Sequence, residues 1–327
     1  MATLLAGDIG GTKTRLATVE VRGQRVSIVQ EREYASADFP DLASLLQDFL
    51  DQSGPLATAC FGVAGPVRDG SAQITNLPWH IDASALRQRF AFTHCHLLND
   101  LEATAWGLSA LEADDLFTLH AGSAQAHGHR AIIAAGTGLG EAGLHWDGHV
   151  HQPYATEGGH ATFAPRDALE WEFAQTLRAR HSHVSWERVV SGMGIPALYD
   201  FLLAKSAAHT PDWLAQDMQR MGRAAAISHA ALAERDALCG ETMRRFVTLY
   251  AAEAGNLALK TMSRGGLYLG GGIAPKILPL LQSGVFLESF LDKGRMRPLL
   301  EAMPVRVILN DRAALYGPAL YAARPSH

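Results

Sequence analysis

The chain of 327 residues is longer than one ordinary hydrophobic core, so two lobes are expected. Its 48% hydrophobic and 19% charged residues are typical of soluble globular proteins, and a net charge of −5 without a lysine or arginine cluster argues against nucleic-acid binding. No apolar run approaches the ~20 residues of a membrane span, and no basic leader precedes the first apolar residues. We therefore expect a cytoplasmic protein without membrane partners.

The first strand begins near Leu4 and ends in Gly7-Asp8-Ile9-Gly10-Gly11-Thr12, and alternate apolar residues predict a second strand over 15–21. The glycine pair predicts a tight hairpin, because glycine adopts positive φ without steric cost. Its backbone N–H groups and the Thr12 hydroxyl can bind a polyphosphate, and Asp8 can hold a metal-bound water. An ordinary Gly-Gly turn is the alternative. A Walker A loop is excluded, since Thr12 stands where that motif needs glycine.

The remaining elements form two similar series. In the first half we predict strands at 26–34, 57–63 and 94–98 and helices at 41–50, 83–90 and 101–111. In the second half we predict strands at 130–135, 142–146, 149–152, 266–269 and 305–309, a helical insertion at about 168–262 and a last helix from residue 313. Asn99-Asp100 and Asn310-Asp311 each follow a strand and precede a helix with an aromatic-Gly step. We infer an internal duplication, with a ligand cleft between two α/β lobes.

The segment Gly136-Thr137-Gly138-Leu139-Gly140 is the second candidate phosphate loop. Together with Gly143 it matches the dinucleotide fingerprint, but that fingerprint requires a helix after the glycines. An Asp-Gly turn at residues 147 and 148 instead predicts a β-hairpin. A phosphate loop from the second lobe therefore fits better than a Rossmann fold.

Asp100 has two interpretations. An aspartate before a helix is often only an N-cap, but phosphoryl transfer to an alcohol needs a carboxylate beside the attacking oxygen. In the second interpretation Asp100 is the general base, and Asn99 orients the hydroxyl. We expect Asp311 to be the capping copy, because one site needs one base.

A polar group suited to a sugar follows in Glu157-Gly158-Gly159-His160, with Glu187 further along the chain. Buried sugar hydroxyls each need a partner, which several such side chains provide. A polar turn and a solvated helix residue are the alternatives for these two segments.

Neither cysteine nor histidine predicts a metal centre. The cysteines are odd in number and widely spaced, which indicates neither a disulfide framework nor a zinc site. The cysteines are Cys60, Cys95 and Cys239. Five histidines near residues 127–151 have no third ligand fixed by spacing, so we expect solvated loop and hairpin histidines.

In this order, the motifs resemble those of the bacterial glucokinases, within the sugar kinase/Hsp70/actin superfamily. The resemblance runs from Gly7 to about Gly317 and includes Gly270-Gly271-Gly272-Ile273, similar to the adenosine motif. It implies two ribonuclease-H-like, actin-like lobes, the small one of residues 1–112 and about 312–327 and the large one of 113–311. The last helix would return to the small lobe. The cysteine-rich zinc motif of the related ROK kinases is absent, so the zinc-free branch is the closer match.

The resemblance also implies an activity and site roles. Asp100 would take the proton from the 6-hydroxyl of D-glucose as it attacks the γ-phosphate of Mg-ATP, and Asn99, Glu157, His160 and Glu187 would bind the sugar. The nucleotide would contact two glycine-rich sets, and Asp8 would reach Mg²⁺ through water. These sets are Gly7, Asp8, Ile9, Gly10, Gly11 and Thr12 in the small lobe, and Gly136, Thr137, Gly138, Gly270 and Gly271 in the large lobe. A homodimer is expected. The alternatives are a kinase for fructose or an amino sugar, or an actin-like or chaperone ATPase.

Overall fold

The structure, a computed structural model, describes residues 2–74 and 77–324. The chain divides into two compact units. Among the described residues, the first contains those up to Asp115, Gln152–Ala155 and those from Asn310 onward, and the second contains Leu116–His151 and Thr156–Leu309. Residues 325–327, which the sequence assigns to the small lobe, lie outside the described residues.

The described residues form the following strands and helices. The strands are β1 (Ala2–Ile9), β2 (Lys13–Arg22), β3 (Arg25–Ala35), β4 (Thr58–Val63), β5 (Val67–Arg68), β6 (Ser71–Gln73), β7 (His80–Asp82), β8 (His94–Asn99), β9 (Leu116–His120), β10 (Arg130–Ala135), β11 (Leu139–Trp146), β12 (His151–Thr156), β13 (Gly266–Gly270) and β14 (Val305–Ile308). The helices are α1 (Leu42–Ser53), α2 (Ala83–Arg89), α3 (Asp100–Gly107), α4 (Ala168–Arg178), α5 (Gly194–Lys205), α6 (Asp212–Met221), α7 (Arg223–Leu232), α8 (Ala237–Thr261), α9 (Leu278–Leu281), α10 (Val285–Leu291), α11 (Arg297–Glu301) and α12 (Ala313–Ala322).

The main sheet of the first unit has the order β3-β2-β1-β4-β8. The central strand β1 pairs antiparallel with β2 and parallel with β4, and both of its faces are covered. Leu5 and Ile9 belong to a core that includes helix α1, whereas Leu4 and Ala6 pack in a core with α12. Successive side chains of a strand point to opposite faces, so a strand covered on both faces is apolar along its whole length.

The main sheet of the second unit repeats this arrangement as β12-β11-β10-β13-β14, with β9 added at the edge. The central strand β10 pairs antiparallel with β11 and parallel with β13, as β1 pairs with β2 and β4. The same order and directions in both sheets confirm the predicted duplication. The edge strand β9 was not predicted, nor were the two- and three-residue strands β5–β7 of a small separate sheet. Elements that short carry no detectable periodicity.

Helices α4–α8 form the predicted insertion of the second unit, and α8 anchors it to the sheet. The hydroxyl of buried Tyr250 in α8 donates a hydrogen bond to the carbonyl of Ile133 in β10, at 3.2 Å. Asp236 caps the start of α8, and Met262 ends it in the left-handed conformation, with φ of 49°. Among the described helices, α8 included, none combines the length and apolar character needed to cross a bilayer.

The aromatic-Gly step seen twice in the sequence marks the crossing of α3 and α12. A methyl group on Gly317 would overlap the carbonyl oxygen of Ala103, and one on Gly107 would overlap that of Ala313. Each helix therefore needs a residue without a side chain where the other backbone passes. The repeated glycines are packing residues of the first unit.

We predict that Gly317→Ala lowers the free energy of unfolding by about 1–3 kcal/mol, because the added methyl group forces the two helices apart. The matched control is Gly240→Ala in α8, where a β-carbon would meet no atom within 4 Å. That change should be neutral or stabilise by up to about 1 kcal/mol, as alanine favours helix. Urea unfolding measures both, and equal effects would contradict the close-packed crossing.

Candidate active site

The Gly10-Gly11-Thr12 turn joins β1 to β2 and is held by the end of β3. The backbone N–H of Gly10 donates to the carbonyl of Lys13 at 3.0 Å, and the Ser36 hydroxyl donates to the carbonyl of Gly10 at 2.8 Å. A β-carbon on Gly10 would lie 2.8 Å from the Lys13 carbonyl oxygen. Neither glycine has positive φ, so the expected conformational reason was wrong. Close backbone approach explains the glycine at position 10, and Thr12 is exposed at the turn.

Gly7 and Ile9 lie within β1 and turn towards packed groups. A β-carbon on Gly7 would come within 2.6 Å of the Phe61 ring, and the Ile9 side chain is fully buried. Their backbone groups pair with the neighbouring strands. Gly7 and Ile9, two members of the predicted phosphate motif, therefore contribute to the packing of the strand from which Asp8 and the turn extend.

Asp8 is half-buried near the end of β1, opposite Arg15 of β2. Burial, together with the charges of Asp100 and Asp311, raises the pKa of its carboxyl from the ordinary 3.8 to about 6, whereas Arg15 lowers it. The charges of two further carboxylates of the first unit therefore act on Asp8, and the Arg15 guanidinium opposes them. Such an excess of negative charge suits a hydrated cation better than another anion.

Asn99, and not Asp100, is the N-cap of helix α3. Its Oδ1 accepts from the backbone N–H groups of Leu101 at 3.0 Å and Glu102 at 3.4 Å, and its Nδ2 donates to the carbonyl of Gly65 at 3.3 Å. Asp100 is the first helical residue, and its side chain is exposed, with Oδ1 accepting from the Leu101 N–H at 2.8 Å. The N-cap interpretation of Asp100 is thus wrong, and its carboxylate is presented at a strand end.

The second Asn-Asp pair does a different job. Asp311 does not cap α12, which has no side-chain cap, so the expectation of a capping copy was wrong. Its Oδ2 accepts from Nη2 of Arg15 at 3.0 Å, and this pair lowers the pKa of Asp311. Arg15 and Asp311 were missed as neighbours of the site because almost 300 residues separate them in the chain.

In the second unit, Gly136-Thr137-Gly138 forms the turn of the β10–β11 hairpin. The N–H of Gly136 donates to the carbonyl of Gly138 at 2.9 Å, and the N–H of Gly192 donates to the carbonyl of Gly136 at 2.8 Å. The antiparallel register of Ala135 with Leu139 confirms that no helix follows these glycines. The Rossmann alternative is therefore excluded by structure as well as by sequence.

Glu187 joins this turn to the sugar-binding candidates. Its Oε2 accepts from the N–H of Leu139 at 3.1 Å, and its carboxylate lies where a β-carbon on Gly138 would be. Its Oε1 is 4.0 Å from Nδ1 of His160. Glu187 is therefore held in place and is not a solvated helix residue; its side chain is 20% exposed.

The predicted sugar-binding side chains of the second unit come together. Nε2 of His160 is 3.8 Å from Oε2 of Glu157, on a 3₁₀ turn formed by Gly158–His160. Nε2 of His183 bonds to the His160 carbonyl at 2.9 Å and holds the turn. The side chains of Glu157 and His160 are 76% and 60% exposed, so their polar atoms are available to a ligand.

Gly270 and Gly271 lie where β13 ends, against the end of β10. Gly271 has φ of 77°, and a β-carbon there would overlap the carbonyl oxygen of Ala135. That carbonyl also accepts from the N–H of Ile273 at 3.1 Å. The turn beginning at Gly136 directly follows Ala135, so the two glycine segments of this unit are neighbours.

The described residues contain no group of three or more His, Cys, Asp or Glu side chains that could hold a metal ion directly. Three of the five histidines near residues 127–151 are bonded to backbone groups. Nδ1 of His129 accepts from the N–H of Trp146 at 2.9 Å, Nε2 of His151 bonds to the carbonyl of Gly128 at 3.0 Å, and Nδ1 of His127 bonds to the carbonyl of Gln125 at 3.0 Å. His127 is exposed, as expected, whereas His129 and His151 are partly buried, where solvated side chains were expected.

Comparison with known proteins gives consistent matches along the whole chain. The family profile described as Glucokinase matches residues 5–325. A glucokinase from Nostoc punctiforme is 47% identical over 340 residues, covering 99% of this chain and all of the relative. The crystal structure of a glucokinase from an Antarctic psychrotroph is 31% identical, with a TM-score of 0.85 over 98% of this chain and 99% of that one.

A more distant structure supports the fold alone. A ROK family glucokinase from Streptomyces griseus, solved in complex with glucose and AMPPNP, is 22% identical with a TM-score of 0.68. It covers 98% of this chain and 99% of its own. The two duplicated α/β units thus have the sugar kinase and actin-like ATPase architecture.

We predict that Asp8→Asn makes the protein more stable above pH 6. The folded pKa of about 6 exceeds the ordinary 3.8, so the native state holds the proton more tightly and stability falls as pH rises from about 4 to 6. An amide removes this loss, and the variant should gain about 1–3 kcal/mol at pH 7.5. Urea unfolding of both proteins between pH 4 and 7.5 measures the difference, and parallel stability curves would refute the expected charge repulsion.

Proposed function

Because the chain belongs to the glucokinase family, we propose that it transfers the γ-phosphate of ATP to the 6-hydroxyl of D-glucose, giving glucose 6-phosphate and ADP. The observation that carries the choice of substrate is the convergence of Glu157 and Glu187 on His160, at 3.8 and 4.0 Å. Acceptors and an imidazole grouped at one place match the several hydroxyls of a hexose. A nucleotide-driven conformational switch that does not act on a sugar would not require these three polar side chains to lie together.

Asp100 is the proposed general base. Its carboxylate is exposed at the start of α3, and the N-cap of that helix is Asn99. As the glucose 6-oxygen attacks the γ-phosphorus, its proton passes to a carboxylate oxygen of Asp100, and the bond between the γ-phosphorus and the bridging oxygen of ADP breaks. No covalent enzyme intermediate is needed.

The remaining sugar hydroxyls are assigned to Asn99, Glu157, His160 and Glu187. Asn99 is rigid, since its Oδ1 caps α3 and one amide N–H is bonded to Gly65; the other amide N–H is the one left for a hydroxyl. Glu157 supplies acceptor oxygens, and His160 supplies a donor or an acceptor according to its tautomer. Glu187, bonded to the Leu139 N–H, links sugar recognition to the adjacent glycine turn.

Three glycine segments are proposed to bind ATP. In the first unit, we propose that the N–H group of Gly11 and the hydroxyl of Thr12 bind the phosphates, while Gly10 holds the turn through its bond to Lys13. In the second unit, the turn at residues 136–138 is proposed for the phosphates and Gly270-Gly271 for the adenosine. Gly7 and Ile9 support the first turn from within β1.

Mg²⁺ is proposed to arrive with the nucleotide. The surplus of carboxylate charge around Asp8, with Arg15 as the counter-charge, fits a hydrated cation held through water. When bound, the ion offsets the charge on the phosphate oxygens. Asp8 would orient one of its waters, and Arg15 would keep Asp311 paired.

We further propose a cytoplasmic homodimer that supplies glucose 6-phosphate to glycolysis. The support is membership of the family, whose members are commonly dimers. Size-exclusion chromatography with light scattering tests the dimer.

Substrate choice is tested with a panel of hexoses in a coupled ADP assay with ATP and Mg²⁺. We expect turnover with D-glucose to exceed turnover with fructose and the amino sugars, and ATP hydrolysis without sugar to be negligible. Rapid sugar-independent hydrolysis would favour an actin-like ATPase and contradict the proposal. A higher kcat/KM for another hexose would reassign the substrate and leave the chemistry unchanged.

We predict that Asp100→Asn lowers kcat by roughly 10²–10⁴-fold while the glucose Kd changes little, because an amide cannot accept the hydroxyl proton. The control is Asp114→Asn, an exposed aspartate of the same unit, which should retain wild-type kcat. Steady-state kinetics and calorimetry measure the two quantities. Near-normal turnover of Asp100→Asn would remove this residue from its role.

We predict that Glu157→Ala weakens glucose binding by about 1–3 kcal/mol, the size expected for a lost hydrogen-bond partner of a bound hydroxyl. The control is Glu288→Ala, an exposed glutamate on α10 of the same unit, which should bind glucose normally. Calorimetric titration with glucose alone gives both constants. An unchanged Kd for Glu157→Ala would refute the assignment of this residue.

A further inference from the structure

Two buried glutamates of the second unit lie outside the site described so far. Glu141 of β11 is 2% exposed, and Glu253 of α8 is fully buried. The negative charge of Glu253 acts on the carboxyl group of Glu141. In the sequence, Glu141 directly follows the segment of residues 136–140.

The charges of this pair do not balance. Glu253 has partners for both oxygens, since Nζ of Lys260 is 3.2 Å from Oε1 and Nδ2 of Asn256 donates to Oε2 at 2.8 Å. Oε1 of Glu141 is buried and has no hydrogen-bond partner. Two carboxylates with one ammonium would leave a buried negative charge without compensation, whereas a single proton converts the repulsion into a hydrogen bond.

The other charged groups near the pair do not supply the missing cation. Nζ of Lys293 donates to Oδ1 of Asn256 at 2.7 Å and to the carbonyl of Ala252 at 3.0 Å. The charges of Glu253, Arg166 and Asp292 act on it through space. The buried Tyr250 hydroxyl is bonded to a backbone carbonyl, and the charge of Glu141 contributes to its raised pKa. Burial, and then the charge of Glu253, raise the pKa of Glu141 to about 8, with Lys260 opposing them.

Glu141 lies directly beneath the turn that carries Glu157 and His160. Its side-chain oxygen occupies the place where a β-carbon on Gly158 would be. Its backbone carbonyl accepts from the Thr156 hydroxyl at 2.8 Å, and that hydroxyl accepts from the N–H of Gly158 at 3.2 Å. Side chain and backbone of Glu141 therefore support the same turn from below.

We propose that Glu141 is a positioning residue for sugar binding, and that its protonated carboxyl group, bonded to Glu253, holds the Glu157–His160 turn in its binding conformation. This inference rests on the proposed sugar-binding role of Glu157 and His160. Loss of the proton leaves two adjacent carboxylates that repel each other. The Glu141 side chain has no space to move towards Gly158, so the repulsion displaces the turn. Sugar affinity then falls at alkaline pH, while Asp100 and the nucleotide segments are unaffected.

The test compares glucose binding by the wild-type protein and Glu141→Gln between pH 6.5 and 9.5, using calorimetry with glucose alone so that nucleotide ionisation does not enter. The amide keeps the shape of the acid and cannot ionise. The wild-type Kd should rise about tenfold between pH 7 and 9.5, the effect of about one pKa unit of coupling. The variant should bind within about threefold of wild type at pH 7 and show no such rise.

Two further variants separate positioning from simple packing. Glu141→Ala should weaken glucose binding at pH 7, where Glu141→Gln restores it. Glu288→Gln, an exposed control on α10, should keep the wild-type pH profile. Equal binding by the alanine and glutamine variants at pH 7, or a wild-type alkaline rise in Glu141→Gln, would overturn the proposal.

Stability gives an independent readout. The folded pKa of Glu141 lies above the ordinary 4.5, so wild-type stability should fall as pH rises from about 4.5 to 8, and Glu141→Gln should lack this loss. If the variant does not fold, a wild-type glucose Kd that is constant from pH 7 to 9.5 overturns the inference on its own. If Glu157→Ala also binds glucose normally, the sugar-site proposal fails as well; if it binds weakly, only the role of Glu141 fails.

Discussion

The close approach of backbone to backbone at the ends of the central strands is the constraint on which each unit depends. At Gly10, Gly158, Gly159 and Gly271 a side chain would collide with a carbonyl or carboxylate that is itself held by the fold. Such places cannot be filled without moving a strand end, because protein interiors are packed to crystal density. At Gly10 this packing requirement falls within the hairpin turn that we propose binds phosphate.

A second constraint is the burial of acidic groups with too few cations. The charges of Asp100, Asp311 and Arg15 act on Asp8, and those of Glu253 and Lys260 act on Glu141. In both cases burial favours the protonated acid, and stability falls as pH rises from the ordinary pKa of the acid to its raised folded pKa. The first group lies where we propose that a hydrated cation binds, and the second lies beneath the turn that we propose binds the sugar. A fold selected for stability alone would have replaced these acids with apolar or amide side chains.

The duplication shows how two copies of one motif can take different tasks. Both Asn-Asp pairs follow a strand and precede a helix, but Asn99 caps its helix and leaves Asp100 exposed, whereas Asp311 pairs with Arg15 and its helix has no side-chain cap. The glycines of the two aromatic-Gly steps, by contrast, have the same role, because Gly107 and Gly317 both allow the close crossing of α3 and α12. Packing of two helices requires both partners, while one reaction requires one base.

The sequence by itself determined the order of the main strands and helices, the two hairpin turns, the duplication and the set of polar residues assigned to the sugar. These follow from local periodicity, turn chemistry and motif order, which the chain carries in short segments. Tertiary structure alone decided that Asn99 is the cap, that Arg15 meets Asp311 and that Glu141 lies beneath Gly158. It also added the short strands β5–β7 and the edge strand β9. Each of these depends on which distant segments of the chain come into contact. The burial and the neighbouring charges at such a contact cannot be read from a local sequence pattern.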